Sequence, residues 1–307
     1  MILYYALGGG IGQITRALAV LHTLKIRENV LVVSPLDSAV TELIPAQFPA
    51  HCRLIKPPAF SYSERHKLAA YIQQLIDEYQ PSELIVDSFP MGIYGELTNI
   101  SYSGIRTYLA RLLIWERYTK VTGNQFFIFN QTFTLEPLHE DQHYIADRIS
   151  ETCLPLQLTD PPQSRSLPSI TDLDQHWLVL HSGPDEEVDD LVTYAKQIRD
   201  IEQKQNPLLL VTPSAINKWA HQPVRHLRYY PAQLLMPHVD KIITACGFNT
   251  LRQAKAFRHK HHFFPFARRF DDQYFRAALY RSSTARQEEK NKHNQMAVSC
   301  LSEDGSR

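Results

Sequence analysis

Short, almost unbroken apolar runs recur along the chain, separated by stretches with helical spacing. Ile2-Leu3-Tyr4-Tyr5, Asn29-Val30-Leu31-Val32-Val33-Ser34, Glu83-Leu84-Ile85-Val86-Asp87, His176-Trp177-Leu178-Val179-Leu180-His181 and Lys241-Ile242-Ile243-Thr244-Ala245 are the clearest. A run that does not alternate with polar residues predicts a strand covered on both faces, as in a parallel sheet. Weaker runs predict further strands at Arg53–Ile55, Gln125–Asn130, Asn206–Thr212, Arg228–Tyr230 and His262–Phe266. Leu68, Ile72, Leu75 and Tyr79 share one helical face, which predicts a helix over Ser63–Tyr79. Other helices are expected from residue 11 to about Leu24, over Ala39–Ile44, Glu186–Lys204, Leu251–Phe257 and Phe270–Tyr280. Strands alternating with helices give βαβ units and a parallel sheet.

The alternation is interrupted once. Cys153–Thr171 carries Pro155, Pro161, Pro162 and Pro168 with several Ser and Thr, and reads as a connection between domains. The expected organisation is an α/β domain over 1–152, a linker over 153–172, a second α/β domain over 173–280 and a polar, disordered tail over 281–307. The fold class is thus α/β, with two Rossmann-like, doubly wound domains facing across a cleft. A cleft between domains is a usual place for a small-molecule site.

Composition narrows the function. The 307 residues include 32 basic and 32 acidic ones, a balance that argues against a general nucleic-acid binder. No run of about 18 apolar residues predicts a membrane span, and no leader peptide is expected at the N-terminus. Cys52, Cys153, Cys246 and Cys300 lie far apart with no CxxC pair, which suits a reducing cytoplasm and speaks against a zinc site. His259, His261 and His262 sit on one short segment without a carboxylate or cysteine at metal-site spacing, so no metal site is expected.

Candidate chemistry starts at Gly8-Gly9-Gly10-Ile11-Gly12-Gln13, where a strand turns into a helix. Glycines let the backbone approach a ligand closely, and the helix that follows offers free N–H groups to an anion. A tight turn without a ligand is the alternative. Asp87 ends a strand, at the edge where open parallel sheets collect ligands; it either faces the cleft with Gly9, Gly10 and Gly12 or caps a loop. The segment from Arg106 to Lys120 mixes Arg106, Arg111 and Arg117 with Leu109, Leu112, Leu113 and Trp115. Such a segment can lie on an anionic membrane surface; a core-facing helix with solvated arginines is the preferred reading.

The loop Gly8–Ala19 resembles the N-terminal loop of the two-domain GT-B glycosyltransferases, nearest to the branch around the enzyme that adds N-acetylglucosamine to lipid I. Ile242–Ala254 resembles that family's strand–glycine–helix segment at the donor nucleotide. Phe264-Pro265-Phe266 followed by Asp271-Asp272-Gln273 resembles its segment at the donor sugar, and Ser182-Gly183 stands where the family has a loop near the donor phosphates. Val86–Leu97 is similar to uncharacterised predicted glycosyltransferases of this branch. The resemblance implies a transferase for a nucleotide sugar, a UDP-sugar above all, with inversion, no tightly bound cofactor and no metal, and an unidentified acceptor. Gln13, by its place in that loop, is a catalytic candidate; the base that takes the acceptor proton would be Asp87 or a cleft histidine. Ser182, Gly183, Gly247, Asn249, Thr250, Gln253, Arg269, Asp272 and Gln273 are the implied donor-binding residues. Two positions depart from the pattern. Gln13 replaces a histidine and cannot take a proton at neutral pH, and Gln253 replaces a glutamate that binds the ribose. These amides support one alternative, a non-catalytic sugar-nucleotide-binding protein; an epimerase or hydrolase on the same fold is the other.

Overall fold

A computed structural model describes residues 1–282, apart from Gly9, 36–42, 45–47, 164, 215–217 and 222. The first sheet contains β1 (Ile2–Tyr5), β2 (Val30–Val33), β3 (Cys52–Ile55), β4 (Glu83–Asp87), β5 (Ile105–Ala110), β6 (Phe129–Thr134) and β7 (Ser150–Pro155). Its seven strands follow the order β3-β2-β1-β4-β5-β6-β7, all parallel. The second sheet contains β8 (Trp177–Leu180), β9 (Leu208–Val211), β10 (Val224–Leu227), β11 (Lys241–Ala245) and β12 (His261–Phe264). Its five strands are also parallel, in the order β10-β9-β8-β11-β12.

Each sheet is covered on both sides, which is why its central strands are apolar throughout. Along β1, Ile2 and Tyr4 pack with Ile14, Leu18 and Leu21 of helix α1 (Ile11–Thr23). Leu3 and Tyr5 point the other way, toward Leu68, Ile72 and Leu75 of α2 (Arg65–Tyr79). In the second domain, Trp177 and Val179 meet Val188, Leu191 and Ala195 of the long helix Asp185–Ile201, while Leu178 meets Leu235 and Met236. Two further helices of the first domain are α3 (Trp115–Thr122) and α4 (Glu140–Arg148); Asp185–Ile201 is α5, Phe248–Gln253 is α6 and residues 273–282 form α7. Among the described residues, no helix is long and apolar enough to cross a membrane.

Several expected boundaries move. The strand expected over Gln125–Asn130 is β6, four residues later. Phe126, Phe127 and Ile128 precede it in a loop, where Phe127 and Phe129 meet ring edge to face, 5.5 Å apart. The extended stretch expected at Arg228–Tyr230 follows β10 rather than forming it. Helix α4 and edge strand β7 carry no strong period and are new; Cys153–Pro155, expected in the linker, are the last residues of β7. The helix expected over Leu251–Phe257 is α6 followed by a 3-10 turn over Ala254–Lys260. Residues 39–42 of the expected helix Ala39–Ile44, and the tail from 283, lie outside the described residues.

The Arg106–Lys120 segment divides into β5, a loop and α3, with Leu109, Leu112 and Leu113 fully buried. Its apolar side is therefore taken up by the protein's own core. Arg111 is buried with them, not solvated.

The chain crosses between the domains twice. Residues 156–163 run past α1 and α6, held by Thr159 N on Thr23 Oγ1 at 2.9 Å and by Arg252 on Asp160 at 2.6 Å. After β12 the chain returns: Ile114 N donates to Phe270 O at 2.6 Å, and Leu113 forms an isolated bridge with Asp271. Arg276 of α7 then makes a bidentate pair with Glu136 of the first domain at 2.6 and 2.8 Å. Helix α7 is thus tied to the first domain as well as to the second, where Arg276 Nη1 donates to Cys246 O at 3.0 Å and Ala277 packs with Cys246 and Leu251.

Candidate functional site

Strand order reverses direction beside β1 and β4 in one sheet and beside β8 and β11 in the other. Doubly wound sheets open a crevice at the carboxyl ends of such strands. Here the two crevices face each other and form one cleft of about 450 Å³, within the size range of small-molecule sites. Gly8, Gly10, Gly12 and Gln13 line it from the first domain; Ser182, Gly183, Gly247, Asn249, Thr250, Gln253, Arg269 and Gln273 line it from the second half of the chain. The two groups of residues singled out in the sequence therefore meet. Gly9 lies outside the described residues.

The loop geometry explains its glycines. Gly8 has φ +148° and Gly10 φ +85°, values that side chains disfavour. A Cβ on Gly8 would run into the Gln13 amide and sit 2.9 Å from the Phe89 ring. Gly183 serves a different need, because a Cβ there would strike His181 Nε2 and lie 2.8 Å from Glu187 Oε2.

Asp87 does not face the cleft. It is fully buried under α1, and Arg16 Nε binds its two oxygens at 2.8 and 2.9 Å. Ser88 Oγ and Tyr4 OH also donate to it, at 2.9 and 3.2 Å. The strand end is where the sequence put it, but the side chain turns beneath the glycine loop to meet an arginine instead of opening to a ligand. Burial, and next the Asp87 charge, push the Tyr4 hydroxyl well above its ordinary value. Gln13 is buried and accepts from Arg16 Nη2 at 3.0 Å.

Asp272 also lies off the cleft. Its Oδ1 accepts from Phe275 N at 2.9 Å and its Oδ2 pairs with His139 at 3.0 Å, so it caps the start of α7. Its neighbour Asp271 lines the cleft, held by Arg111 at 3.0 Å and Arg276 at 2.7 Å. Burial opposes ionisation of Asp271, but these arginines outweigh it and hold the carboxyl well below its usual range. Gln273 Oε1 accepts from Phe266 N at 3.0 Å. Gln253 reaches Asp160 of the domain connection at 3.2 Å.

Other cleft residues, the Arg268-Arg269 pair apart, carried little sequence signal. His181 follows β8 and bonds Glu187 Oε2 through Nε2 at 2.7 Å. Burial pushes its pKa down, against the pull of Glu187, so the ring is neutral near pH 7. A carboxylate can only accept, so Nε2 carries the proton and Nδ1 has its lone pair free of it. Glu187 also accepts both terminal nitrogens of Arg268, a fork that orients the guanidinium. Arg16 was legible only as one charge inside the apolar run Ile14–Leu21. Arg111 sat in a segment read as amphipathic. Arg269 stacks over Phe270, 4.8 Å from its centroid.

No protein-family model and no curated protein matches the sequence. Solved structures do match in shape. The spinosyn forosaminyltransferase SpnP aligns with a TM-score of 0.60 at 12% identity, over 92% of this chain and 83% of its own. A UDP-glucosyltransferase from Polygonum tinctorium gives 0.57 at 12% identity, over 91% and 82%. A UDP-N-acetylglucosamine 2-epimerase from Rickettsia bellii gives 0.52 at 10% identity, over 83% and 76%. At these identities the likeness is one of fold: two Rossmann-like domains facing across a cleft, the GT-B architecture of glycosyltransferases and of UDP-N-acetylglucosamine 2-epimerases.

Proposed function

We propose that this protein transfers a sugar from a nucleotide sugar, a UDP-sugar above all, to a small-molecule acceptor, with inversion and without a metal ion. The observation that carries this reading is the single cleft lined by the glycine loop of one domain and by the Ser182–Gly183 and Gly247–Thr250 loops of the other. Backbone N–H groups at Ser182, Gly183, Gly247 and Thr250 and the Arg268 guanidinium would hold the departing diphosphate. Gln253 would contact the ribose and Gln273 the sugar. Gln13 would bind the acceptor without taking its proton. With Asp87 sealed under α1, His181 is the proton acceptor we favour, because it is the histidine among the cleft-lining residues and its Nδ1 is unprotonated. The likeness of the glycine loop to that of the lipid I enzyme's branch supports the same assignment of donor and acceptor sides.

Thermal denaturation against UDP, UDP-sugars, GDP-sugars and dTDP-sugars tests the donor site. A ligand specific to the folded state at about 100 times its Kd adds roughly 2.7 kcal/mol, so a midpoint rise is expected with UDP and UDP-sugars. UDP release in the presence of an acceptor panel and EDTA then tests transfer. No shift with any nucleotide would remove this reading. A second reading, epimerase or hydrolase, is favoured by the placement of His181 and Asp271 on the cleft wall. Conversion of UDP-N-acetylglucosamine without an acceptor would establish it.

A further inference from the structure

The first-domain wall of the cleft holds two arginines that the donor chemistry leaves unused. Arg16 is 2% exposed and Arg111 8% exposed, yet both line the cleft. Buried cations are tolerated when their N–H groups are partnered, and most are here. Arg16 uses Nε on Asp87, and Nη2 on Gln13 Oε1 and on Ser88 Oγ at 3.0 Å each. Arg111 uses Nε on the same Ser88 Oγ at 3.1 Å and Nη1 on Asp271 at 3.0 Å. Two guanidinium groups thus converge on one hydroxyl. Each keeps one terminal nitrogen, Arg16 Nη1 and Arg111 Nη2, with no hydrogen-bond partner among the described residues, and neither nitrogen is sealed from solvent.

Two further observations point the same way. Ser88, which joins the pair, has φ +72°, a conformation that a non-glycine residue keeps only where its surroundings impose it. Burial pushes the Arg111 pKa down and the positive charges of Arg16 and Arg276 add to this, against Asp271 and Glu136, whereas for Arg16 burial is outweighed by Asp87, which holds its pKa up. Arg269, also on the cleft wall, adds a cation with no carboxylate partner among the described residues.

We propose that Arg16 Nη1 and Arg111 Nη2 form an oxyanion-reading pair, and that the acceptor is a hydroxyl compound carrying a carboxylate or phosphate. Arginine suits this task better than lysine, since its planar, always charged guanidinium can hold Ser88 and a carboxylate with some N–H groups and still present another to an anion. The pair lies on the first domain, across the cleft from Ser182–Gly183 and Gly247–Thr250, which is why it reads the acceptor and not the donor. That assignment to the acceptor rests on the transfer reading above; the anion site itself does not.

The test is calorimetric titration of the full chain with inorganic phosphate, with and without saturating UDP. Phosphate is expected to bind in both cases, and Arg111→Lys to weaken it about tenfold or more, the worth of a charge-assisted hydrogen bond, while leaving UDP binding as it was. Displacement of phosphate by UDP would put the anion on the donor side and overturn the proposal, as would equal phosphate binding by Arg111→Lys or none by the unaltered protein. Phosphate binding that depends on Arg111 without any UDP binding would retain the anion pair and remove the transfer reading. If Arg111→Lys does not fold, phenylglyoxal labelling of the unaltered protein, followed by peptide mass mapping, decides. Phosphate is expected to slow modification of Arg16 and Arg111; equal labelling with and without it overturns the proposal.

Discussion

Asn249 of the second domain donates its side-chain amide to the backbone carbonyl of Gly12 in the first, at 2.6 Å. This one bond joins the start of α6 to the glycine loop across the cleft. Asn249→Ala removes it without burying a new group. The expected loss is about 1 kcal/mol of stability, read in urea denaturation, with weaker binding of whichever nucleotide proves to be the ligand. An unchanged denaturation midpoint would mean that the bond adds nothing to domain contact.

Asp87 is predicted to be structural. Asp87→Ala leaves Arg16 buried without its counter-charge, and breaking a buried pair in this way costs about 3–5 kcal/mol. The fall should appear as a large drop in the denaturation midpoint. Full stability with abolished turnover would instead restore Asp87 to the chemistry.

His261 makes the fold acid-sensitive. Burial, with lesser effects of His262 and Arg258, lowers its pKa from 6.5 to about 4. The unfolded chain therefore binds a proton that the folded one refuses between those values. The contribution is fully present above pH 6.5 and is lost as pH falls toward 4, amounting to about 3 kcal/mol. His261→Phe should flatten this part of the stability–pH profile measured between pH 4 and 7. An identical slope in both proteins would assign the acid sensitivity elsewhere.

Gly183 has no room for a side chain beside His181 and Glu187. Gly183→Ala must displace the loop or the His181–Glu187 pair. Overpacking of this kind costs about 1–3 kcal/mol, and the loss of UDP affinity in calorimetry should exceed the loss of stability. Unaltered UDP affinity would place the donor phosphates away from this loop.

The central strands were legible because a strand buried on both faces has only apolar positions to offer: β1, β2, β4, β8 and β11 all read directly. The outer strands were less so: β3 and β12 were expected within a residue or two of their places, but β7 and β10 were not. β7 is half exposed, with Leu154 facing solvent, and a polar edge strand has no pattern that separates it from a linker. The glycine loop and the loops after β8 and β11 were legible because ligand-style turns use special residues. Orientation was not. Asp87 and Asp272 were each found at the right end of the right element, yet a side chain's direction depends on its tertiary partner, here Arg16 and His139. Arg16 and Arg111 were the converse: their sequence neighbours gave no sign that two distant arginines would share Ser88.

The return of the chain after β12 changes what counts as half of this molecule. Asp271 and Gln273 are encoded at the far end of the second domain, yet the helix they lead into is shared. Arg276 binds Glu136 of the first domain and the Cys246 carbonyl of the second, and Ala277 packs with Cys246 and Leu251. Helix α7 is thus a clasp between the halves, and any swing of one sheet against the other has to break one of its two sets of contacts. A fragment ending before α7 would lack the clasp, so two separately made halves should be joined by complementation only when one of them carries α7.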